Sequence, residues 1–239
     1  MNIISNTKIY GSFSKNPGNL GCTFFNHAFR KHNINAIYKS FFCGDLQKSI
    51  DAALTLGFSG FAISSPYKEK IFKVVEPYLA RCGIDIDTVW TGMVRPINTV
   101  RIAEEGLYVY NTDLVACRAL VKELPKNTSV YVVGNGGLGS VMYAAVGVAN
   151  INSSAGLYQI SRRDWKTIPD IKDSVIINCT PVDLTIDPSN ILLDCRTQYD
   201  FGKKLHAIQA AAQFKIYTGI DYGSGPTNTS ELDRVQGCC

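Results

Sequence analysis

Residues 129–145 read SVYVVGNGGLGSVMYAA, which is an apolar strand, a glycine-rich turn and the start of a helix. Gly134, Gly136 and Gly139 form the pattern G-x-G-x-x-G. In this pattern the first glycine allows a tight turn, the second lets a pyrophosphate approach the backbone, and the third lets helix and strand pack closely. A glycine-rich turn can form without a ligand, but the flanking strand and helix favour a dinucleotide site. Its predicted residues are Gly134, Asn135, Gly136, Gly137, Leu138 and Gly139.

Strands and helices alternate on the N-terminal side of this segment. The hydrophobic pattern predicts strands at TKIYGSF, AIYKSFF and GFAIS, helices near Gly21–His32 and Leu46–Leu56, a helical stretch from Lys68 to about Ala80, and strands RPINTVRI and GLYVYNT. Such alternation is typical of a mostly parallel sheet. We therefore expect a substrate-binding α/β domain with a mixed, mostly parallel sheet over residues 1–111.

A second α/β series surrounds the glycine-rich turn. A helix over 112–124, ended by Pro125, is predicted to link the domains. Then follow strands GLYQIS, SVIINCT and ILLDC, a helix Phe201–Gln213 and a strand KIYTGI. This doubly wound order predicts a Rossmann-type NAD(P)-binding domain over residues 112–220, with a tail at 221–239.

Two arginines follow the second strand of this domain. An NAD-specific protein usually carries an acidic residue there, but Ser161, Arg162 and Arg163 occupy the place. A guanidinium binds phosphate in a bidentate manner, so the cofactor is predicted to be NADP, with NAD possible. The arginines could instead be solvated surface residues, and Asp164 could pair with one of them. Thr180, which ends the strand SVIINCT, completes the cofactor candidates.

Composition excludes several classes of function. The 24 basic and 20 acidic residues are interspersed, with a net charge of +4, so a nucleic-acid partner is not expected. No apolar stretch approaches the roughly 20 residues that span a bilayer, and MNIISNTKIYG does not resemble a secretory signal. We expect a cytoplasmic monomer or homodimer without a membrane partner. The eight cysteines and three histidines lack metal-ligand spacing, so no metal is expected.

Polar residues in the first domain cluster at predicted strand ends. Ser64 and Lys68 follow GFAI, Asn98 lies in PINTV, and Asn111 and Asp113 lie in YNTD. In open parallel sheets the carboxyl ends of strands face the ligand crevice. A Lys close to an Asp can pass a proton to or from a hydroxyl during hydride transfer. Lys68 and Asp113 are therefore the catalytic candidates, although Lys68 could be an exposed helix-start lysine and Asp113 a helix N-terminal acid.

The order of these motifs resembles the shikimate dehydrogenase family. That family carries N-V-T-x-P-x-K, V-N-T, G-x-N-T-D, G-x-G-G and N-R-T, and this chain reads A-I-S-S-P-Y-K, I-N-T, Y-V-Y-N-T-D, G-N-G-G and S-R-R over residues 8 to 220. The resemblance implies that Lys68 and Asp113 are the catalytic pair. It also implies that Asn98 and Ser64 bind substrate and that Arg162 binds the adenosine phosphate.

The chain departs from the family where the substrate is recognised. Asn19 and Gly21 stand in place of the two serines that hold the substrate carboxylate, and Ser12, Ser14 or Lys15 could substitute for them. Residues 219–226, GIDYGSGP, stand in place of the family's G-L-x-M-L-x-x-Q segment, so the glutamine that contacts substrate in the family is expected to be lost. The family's long closing helix is also not found, and Cys195 replaces a family tyrosine. The predicted substrate-binding residues are Ser64, Asn98, Asn19 and Asn111.

The resemblance implies an NADP-dependent oxidoreductase that interconverts 3-dehydroshikimate and shikimate or a related ring alcohol and ketone. Because substrate contacts have changed, the substrate can differ from shikimate. Two alternatives remain at this point, a dinucleotide-binding protein without turnover and a quinate-type dehydrogenase. A hydride-transfer enzyme for amino acids or folates is disfavoured by the Lys and N-T-D pattern.

Overall fold

The computed structural model describes residues 2–84, 96–149 and 154–222, and of residues 81–84 only the backbone. Contacts divide the chain into two compact units. The first comprises Met1–Thr112 and Ala210–Cys239, and the second comprises Asp113–Gln209. The chain therefore passes from one unit to the other twice, once after Thr112 and once after Gln209.

The first unit is built on a six-stranded sheet in the order β2-β1-β3-β5-β6-β4. Its elements are β1 (Lys8–Ser14), α1 (Leu20–Lys31), β2 (Ala36–Phe42), α2 (Leu46–Thr55), β3 (Gly60–Ile63), α3 (Ile71–Val75), β4 (Leu79–Ile84), β5 (Thr99–Ala103) and β6 (Gly106–Tyr110). Strand β1 pairs in parallel with β2 and β3, whereas β5 is antiparallel to both of its neighbours. The sheet is thus mixed, as predicted.

Two hydrophobic clusters flank this sheet. On one face, Phe25 and Phe29 of α1 pack with Tyr10 and Tyr38 of the sheet. On the other face, Phe61 and neighbouring side chains pack with α2 and α3. Alternate residues of a strand point to opposite faces, and residues four apart on a helix share one face, so the sequence pattern dictates this division.

The predicted helix from Lys68 to Ala80 is wrong in extent. Helix α3 covers only Ile71–Val75, a 3-10 helix covers Glu76–Tyr78, and β4 begins at Leu79. Pro77 has no backbone N–H and cannot continue the helical hydrogen-bond pattern, which explains the early end. Strand β4, absent from the prediction, pairs in parallel with β6.

The second unit contains a four-stranded parallel sheet in the order β10-β9-β7-β8. The elements that follow β6 are α4 (Thr112–Leu120), β7 (Val130–Val133), α5 (Gly137–Ala149), β8 (Leu157–Ile160), β9 (Val175–Asn178), β10 (Ile191–Asp194) and α6 (Asp200–Thr218), with 3-10 helices at Val121–Glu123 and Arg162–Asp170. The last part of α6, from Ala210, belongs to the first unit. Every residue of β9 is buried, which is typical of a central parallel strand. The predicted α/β fold class is confirmed.

The predicted strand KIYTGI is wrong, because α6 continues without interruption to Thr218. Phe214 and Tyr217, three residues apart, lie on one side of the helix and pack with Tyr10 and Phe29 of the first unit. Gly219, at φ +74°, donates its N–H to the Lys215 carbonyl and ends the helix. Residues 210–222 belong to the first unit by their contacts.

Tyr10 and Tyr217 stack with ring centroids 4.6 Å apart but differ in their hydroxyl groups. The Tyr10 hydroxyl donates to the Tyr217 carbonyl oxygen at 3.0 Å. The Tyr217 hydroxyl is buried and has no hydrogen-bond partner among the described residues, and burial holds its pKa well above its usual range. An unpaired buried hydroxyl costs stability.

We expect Tyr217→Phe to stabilise the protein by about 1 kcal/mol, because it removes that unpaired group. The matched control Tyr10→Phe, which removes a hydroxyl that is bonded, should destabilise it by about 1 kcal/mol. Chemical denaturation of both variants measures the two free energies of unfolding. A loss of stability in Tyr217→Phe would contradict the assignment.

Candidate functional site

The predicted substrate residues of the first unit lie at one end of its sheet. Ser64 directly follows β3, and its N–H donates to the Phe13 carbonyl at the end of β1. The Ile63 N–H donates to the Asn98 carbonyl at 2.8 Å, and the Ile97 N–H donates to the Lys68 carbonyl at 3.0 Å. Ser64, Lys68 and Asn98 are therefore brought together by backbone hydrogen bonds.

Asn98 is held by three donors on a single atom. Its Oδ1 accepts from the Thr112 N–H at 2.9 Å, the Thr112 hydroxyl at 3.1 Å and the Thr99 hydroxyl at 2.9 Å. Because a backbone N–H can only donate, the atom facing Thr112 must be the amide oxygen. The Nδ2 group is buried and has no acceptor among the described residues. This amide thus retains two N–H donors that could bind the oxygen of a ligand.

Lys68 and Asp113 lie in different units and are described separately. Lys68 is half-buried in the turn after β3, beside Tyr67, whose hydroxyl donates to the Cys43 carbonyl at 2.5 Å. Asp113 is buried in the first turn of α4, directly after Thr112. Asn111, which is also buried, precedes that helix. The pairing of the Lys68 ammonium with the Asp113 carboxylate stays a prediction.

The three glycines of the turn have three different surroundings. Gly134 has φ +109°, which favours glycine. A Cβ at Gly139 would lie 2.2 Å from the Gly134 carbonyl oxygen, so that position admits no side chain. A Cβ at Gly136 would meet nothing within 4 Å, so the protein itself leaves this space open. These are the roles that a pyrophosphate-binding turn requires of its first, third and second glycine.

The turn passes directly into α5. This helix begins at Gly137, and Leu138 lies in its first turn. The carbonyls of Gly136 and Asn135 accept from the Ser140 N–H and hydroxyl at 2.9 and 3.2 Å. The N–H groups at this helix start are therefore available for a phosphate. The residues fit the pyrophosphate of a dinucleotide.

Thr180 supports the turn from the neighbouring strand. Its N–H and hydroxyl both donate to Asn178 Oδ1, at 3.0 and 2.7 Å. Its methyl group would lie 3.2 Å from a Cβ at Gly134. Thr180 therefore packs against the first glycine of the turn, and its contact with a cofactor stays a prediction.

The arginines after β8 are free of carboxylate partners. The Ser161 hydroxyl donates to Asp164 Oδ2 at 2.6 Å. Arg162 and Arg163 are exposed, and in the described part of the chain neither forms an ion pair within 4.0 Å. Arg162 lies over the Trp165 ring, 5.7 Å from its centroid. Asp164 thus binds a serine in place of an arginine, and both guanidinium groups can take a phosphate.

The expected carboxylate-binding residues are spread over β1 and the loop between β1 and α1. Asn19 is exposed, its carbonyl accepts from the Thr23 N–H at 2.9 Å, and its side chain makes no capping bond. Ser12 donates to the Ser40 hydroxyl at 3.1 Å, Ser14 is buried, and Lys15 is exposed. These contacts do not single out one replacement for the missing serine pair.

The glutamine-containing motif has a second match in α6, which the sequence alignment at Gly219 missed. Residues 202–209 read GKKLHAIQ, with glycine first, Leu205 at the methionine position and Gln209 last. A Cβ at Gly202 would lie 2.0 Å from the Arg196 carbonyl oxygen, so the glycine is required there. The pattern G-x-x-L-x-x-x-Q in the sequence is the feature that could have identified this match. Gln209 is therefore a further candidate for substrate binding, and the proposed missing closing helix falls outside the described residues.

Cys195, which follows β10, lies beside Cys179, which follows β9. Their sulfur atoms are 3.6 Å apart. The hydrogen bond with Cys195 and burial hold the pKa of the Cys179 thiol well above its usual range. Cys179 thus stays protonated, and it is unsuited to act as a nucleophile.

In residues 2–84, 96–149 and 154–222, no three His, Cys, Asp or Glu side chains are grouped so that they could hold a metal ion. No helix among those described has both the length and the apolar composition to cross a membrane.

Residues 20–82 match the family model of the shikimate dehydrogenase substrate-binding domain. The resemblance to the shikimate dehydrogenase family is confirmed. The matched stretch begins with α1, reaches into β4, and includes both Ser64 and Lys68. Two candidates for substrate chemistry thus lie inside the part of the chain that the family model covers.

Two curated relatives are similar over part of their length. A shikimate dehydrogenase-like protein of Haemophilus influenzae is 32% identical over 145 residues, 60% of this chain and 50% of that protein. A shikimate dehydrogenase (NADP(+)) of Pyrococcus abyssi is 32% identical over 148 residues, 60% of this chain and 53% of that protein. The chain spans about half the length of the curated relatives it matches.

The fold is also similar to solved structures. Shikimate dehydrogenase from Aquifex aeolicus aligns with a TM-score of 0.73 at 20% identity, over 98% of this chain and 99% of that one. At this identity the likeness concerns the fold. It supports an α/β fold over nearly the whole chain.

Proposed function

We propose that the chain is an NADP-dependent oxidoreductase of the shikimate dehydrogenase type, which interconverts a ring alcohol such as shikimate and its ketone. The observation that carries this proposal is the Asn98 amide. Its oxygen is saturated with three donors, its nitrogen has no acceptor among the described residues, and the Lys68 carbonyl accepts from the N–H of Ile97, the residue before it. A substrate hydroxyl or carbonyl oxygen is the acceptor that such a donor requires.

Lys68 and Asp113 supply the proton chemistry in this proposal. A nicotinamide, when bound, accepts or donates the hydride. Lys68 takes the proton from the substrate hydroxyl as the ketone forms and returns it in the reverse direction. The Asp113 carboxylate orients the Lys68 side chain and stabilises the ammonium group that forms when the amine takes this proton. Asn98 holds the reacting molecule by a neighbouring oxygen, so that the proton and the hydride leave from a fixed geometry.

NADP is the cofactor that the second unit fits. The open space at Gly136 and the start of α5 accommodate the pyrophosphate. Arg162 and Arg163 are available for the 2′-phosphate of the adenosine ribose, since Asp164 bonds Ser161. The name of the Pyrococcus abyssi relative, a shikimate dehydrogenase (NADP(+)), agrees with this choice.

The substrate is a ring hydroxy acid that need not be shikimate itself. Ser64, Asn98 and Asn111 would bind its hydroxyl groups, and Gln209 is a further candidate. The serine pair for the carboxylate is replaced, and Asn19 in its place is exposed. Sites that hydrogen-bond polar groups discriminate steeply between substrates, so this change is expected to alter substrate choice.

Reduction of NADP with shikimate, quinate and related cyclic polyols tests the proposal. We expect turnover with at least one of them, followed by the absorbance of the reduced nicotinamide. NADPH binding without turnover across the panel and with the matching ketones would overturn the enzymatic role and favour a dinucleotide-binding protein without turnover.

Replacing the arginines should separate the two cofactors. We expect Arg162→Ala and Arg163→Ala each to raise the Kd for NADPH by about tenfold and to leave the Kd for NADH unchanged, because each removes a charge-assisted bond to the 2′-phosphate. Fluorescence titration with NADPH and NADH gives both constants. Lys166→Ala, an exposed charge in the same segment, is the control. An equal loss for both cofactors would contradict 2′-phosphate recognition.

A further inference from the structure

The Asn98 amide is connected to α6 through a buried hydrogen-bond chain. Gln213, which is 2% exposed, donates from Nε2 to the Thr99 hydroxyl at 2.6 Å. The Thr99 hydroxyl donates in turn to Asn98 Oδ1 at 2.9 Å. Gln213 is separated from Thr99 by 114 residues in sequence, yet both belong to the first unit. The sequence motifs gave Gln213 no role.

The direction of these hydrogen bonds follows from which of the atoms can donate and which can only accept. The Thr112 N–H identifies the facing atom of Asn98 as oxygen. The Thr99 hydroxyl has one hydrogen, and its short contact with that oxygen requires the hydrogen to point there. The Thr99 hydroxyl also lies 3.4 Å from the Thr112 hydroxyl, whose hydrogen points to Asn98 Oδ1. With its own hydrogen used, Thr99 can only accept from Gln213, so Gln213 presents its NH₂ group and not its oxygen.

Such an aligned chain has two consequences for Asn98. It removes the alternative in which the amide rotates and presents its oxygen to a ligand, because that rotation would set Nδ2 against three donors. It also polarises the amide, since hydrogen bonds in a chain strengthen one another, and makes the free N–H groups better donors.

We propose that Gln213 is a positioning residue that acts through Thr99 and Thr99's bond to Asn98, and that it fixes the orientation in which Asn98 donates to a substrate oxygen. This inference rests on the proposed function, in which Asn98 contacts the substrate. Gln213 itself touches neither substrate nor cofactor. It sets the affinity for the ring alcohol without affecting the affinity for the dinucleotide.

Gln213→Met keeps the length of the side chain and removes its donor. We expect this variant to raise the KM of the alcohol about tenfold, with the KM of NADP unchanged. In the Thr99→Val background the same substitution should not raise the KM further, because valine has no hydroxyl and the link from Gln213 to Asn98 is already lost. Gln47→Met, an exposed glutamine of α2, is the control and should change neither constant.

Gln213→Glu gives a readout that a purely structural role would not produce. As a carboxylate, Glu accepts the hydrogen of the Thr99 hydroxyl, so Thr99 no longer donates to Asn98. The KM of the alcohol is therefore expected to be high at high pH. As a carboxylic acid it donates to Thr99 again, so the KM falls towards the wild-type value as the pH is lowered. Relative to wild type, Gln213→Met should show no such dependence, and a Gln213→Glu profile parallel to wild type would overturn the proposal.

The side-chain amide signals of Asn98 keep this test separate from the enzymatic proposal. In protein labelled with ¹⁵N-asparagine, the signals lost in Asn98→Ala identify this amide. We expect them to shift in Gln213→Met and Gln213→Glu and not in Gln47→Met. If no alcohol is turned over, the proposed function fails while a shift still supports the positioning role. Unchanged Asn98 signals in both Gln213 variants would overturn that role whether or not the protein is active.

Discussion

Lys68→Ala is expected to lower kcat with the preferred ring alcohol about a thousandfold, while the Kd for NADPH stays within twofold of wild type. In the proposed mechanism Lys68 takes the hydroxyl proton as the hydride leaves, and alanine offers no base in its place. The proposed cofactor residues lie in the second unit and do not include this side chain. Steady-state rates and NADPH titration of the same preparation measure the two effects.

Two neighbouring lysines provide the control for this experiment. Lys70 and Lys73 lie within five residues of Lys68, and replacing either with alanine removes the same charge from the same segment. We expect both variants to retain kcat. Wild-type rates in Lys68→Ala, or equal losses in all three variants, would remove the assigned role from Lys68.

A second arm of the experiment separates proton transfer from orientation. Asp113→Asn keeps the size of the side chain and removes its charge, so it should lower kcat less than Lys68→Ala does. In the double variant the two losses should not add, because residues that act as a unit are not independent. Additive losses would mean that the two residues act separately.

The sequence was sufficient for elements whose periodicity is unambiguous. Strands β7 and β9 are short apolar runs with turn residues at their ends, and both form where they were predicted. Residues 215–220 were misread because Lys-Ile-Tyr-Thr contains residues that favour strands in isolation. Tertiary packing decided otherwise, since Phe214 and Tyr217 reach the core of the first unit only when α6 continues.

The candidate site also contains residues that neighbouring sequence indicates and contacts that it cannot indicate. Ser64, Lys68 and Asn98 were found because they follow or precede strands, which is a local signal. The contact between Gln213 and Thr99 could not be found in this way, because it joins residues 114 positions apart. The saturated oxygen of Asn98 was likewise invisible, since it depends on Thr112 and on the register of β5 with β6.

Substitutions at two glycines of the turn are expected to differ in their effect on folding, although both should weaken binding of NADPH. Gly136 has open space where a side chain would be and no left-handed backbone, so Gly136→Val should fold with an unchanged Tm. The added side chain would occupy the place of the pyrophosphate. We expect the Kd for NADPH to rise at least about a hundredfold.

Gly139→Val should in contrast lose both the fold of the second unit and cofactor binding. Its Cβ would lie 2.2 Å from the Gly134 carbonyl oxygen, a backbone atom of the same turn that cannot move without opening it. Circular dichroism melting and NADPH fluorescence titration distinguish the two variants, because only Gly136→Val should melt like wild type. Retained NADPH affinity in a folded Gly136→Val protein would mean that the dinucleotide does not lie on this turn. The difference between the two glycines therefore separates a position reserved for a ligand from one required by packing.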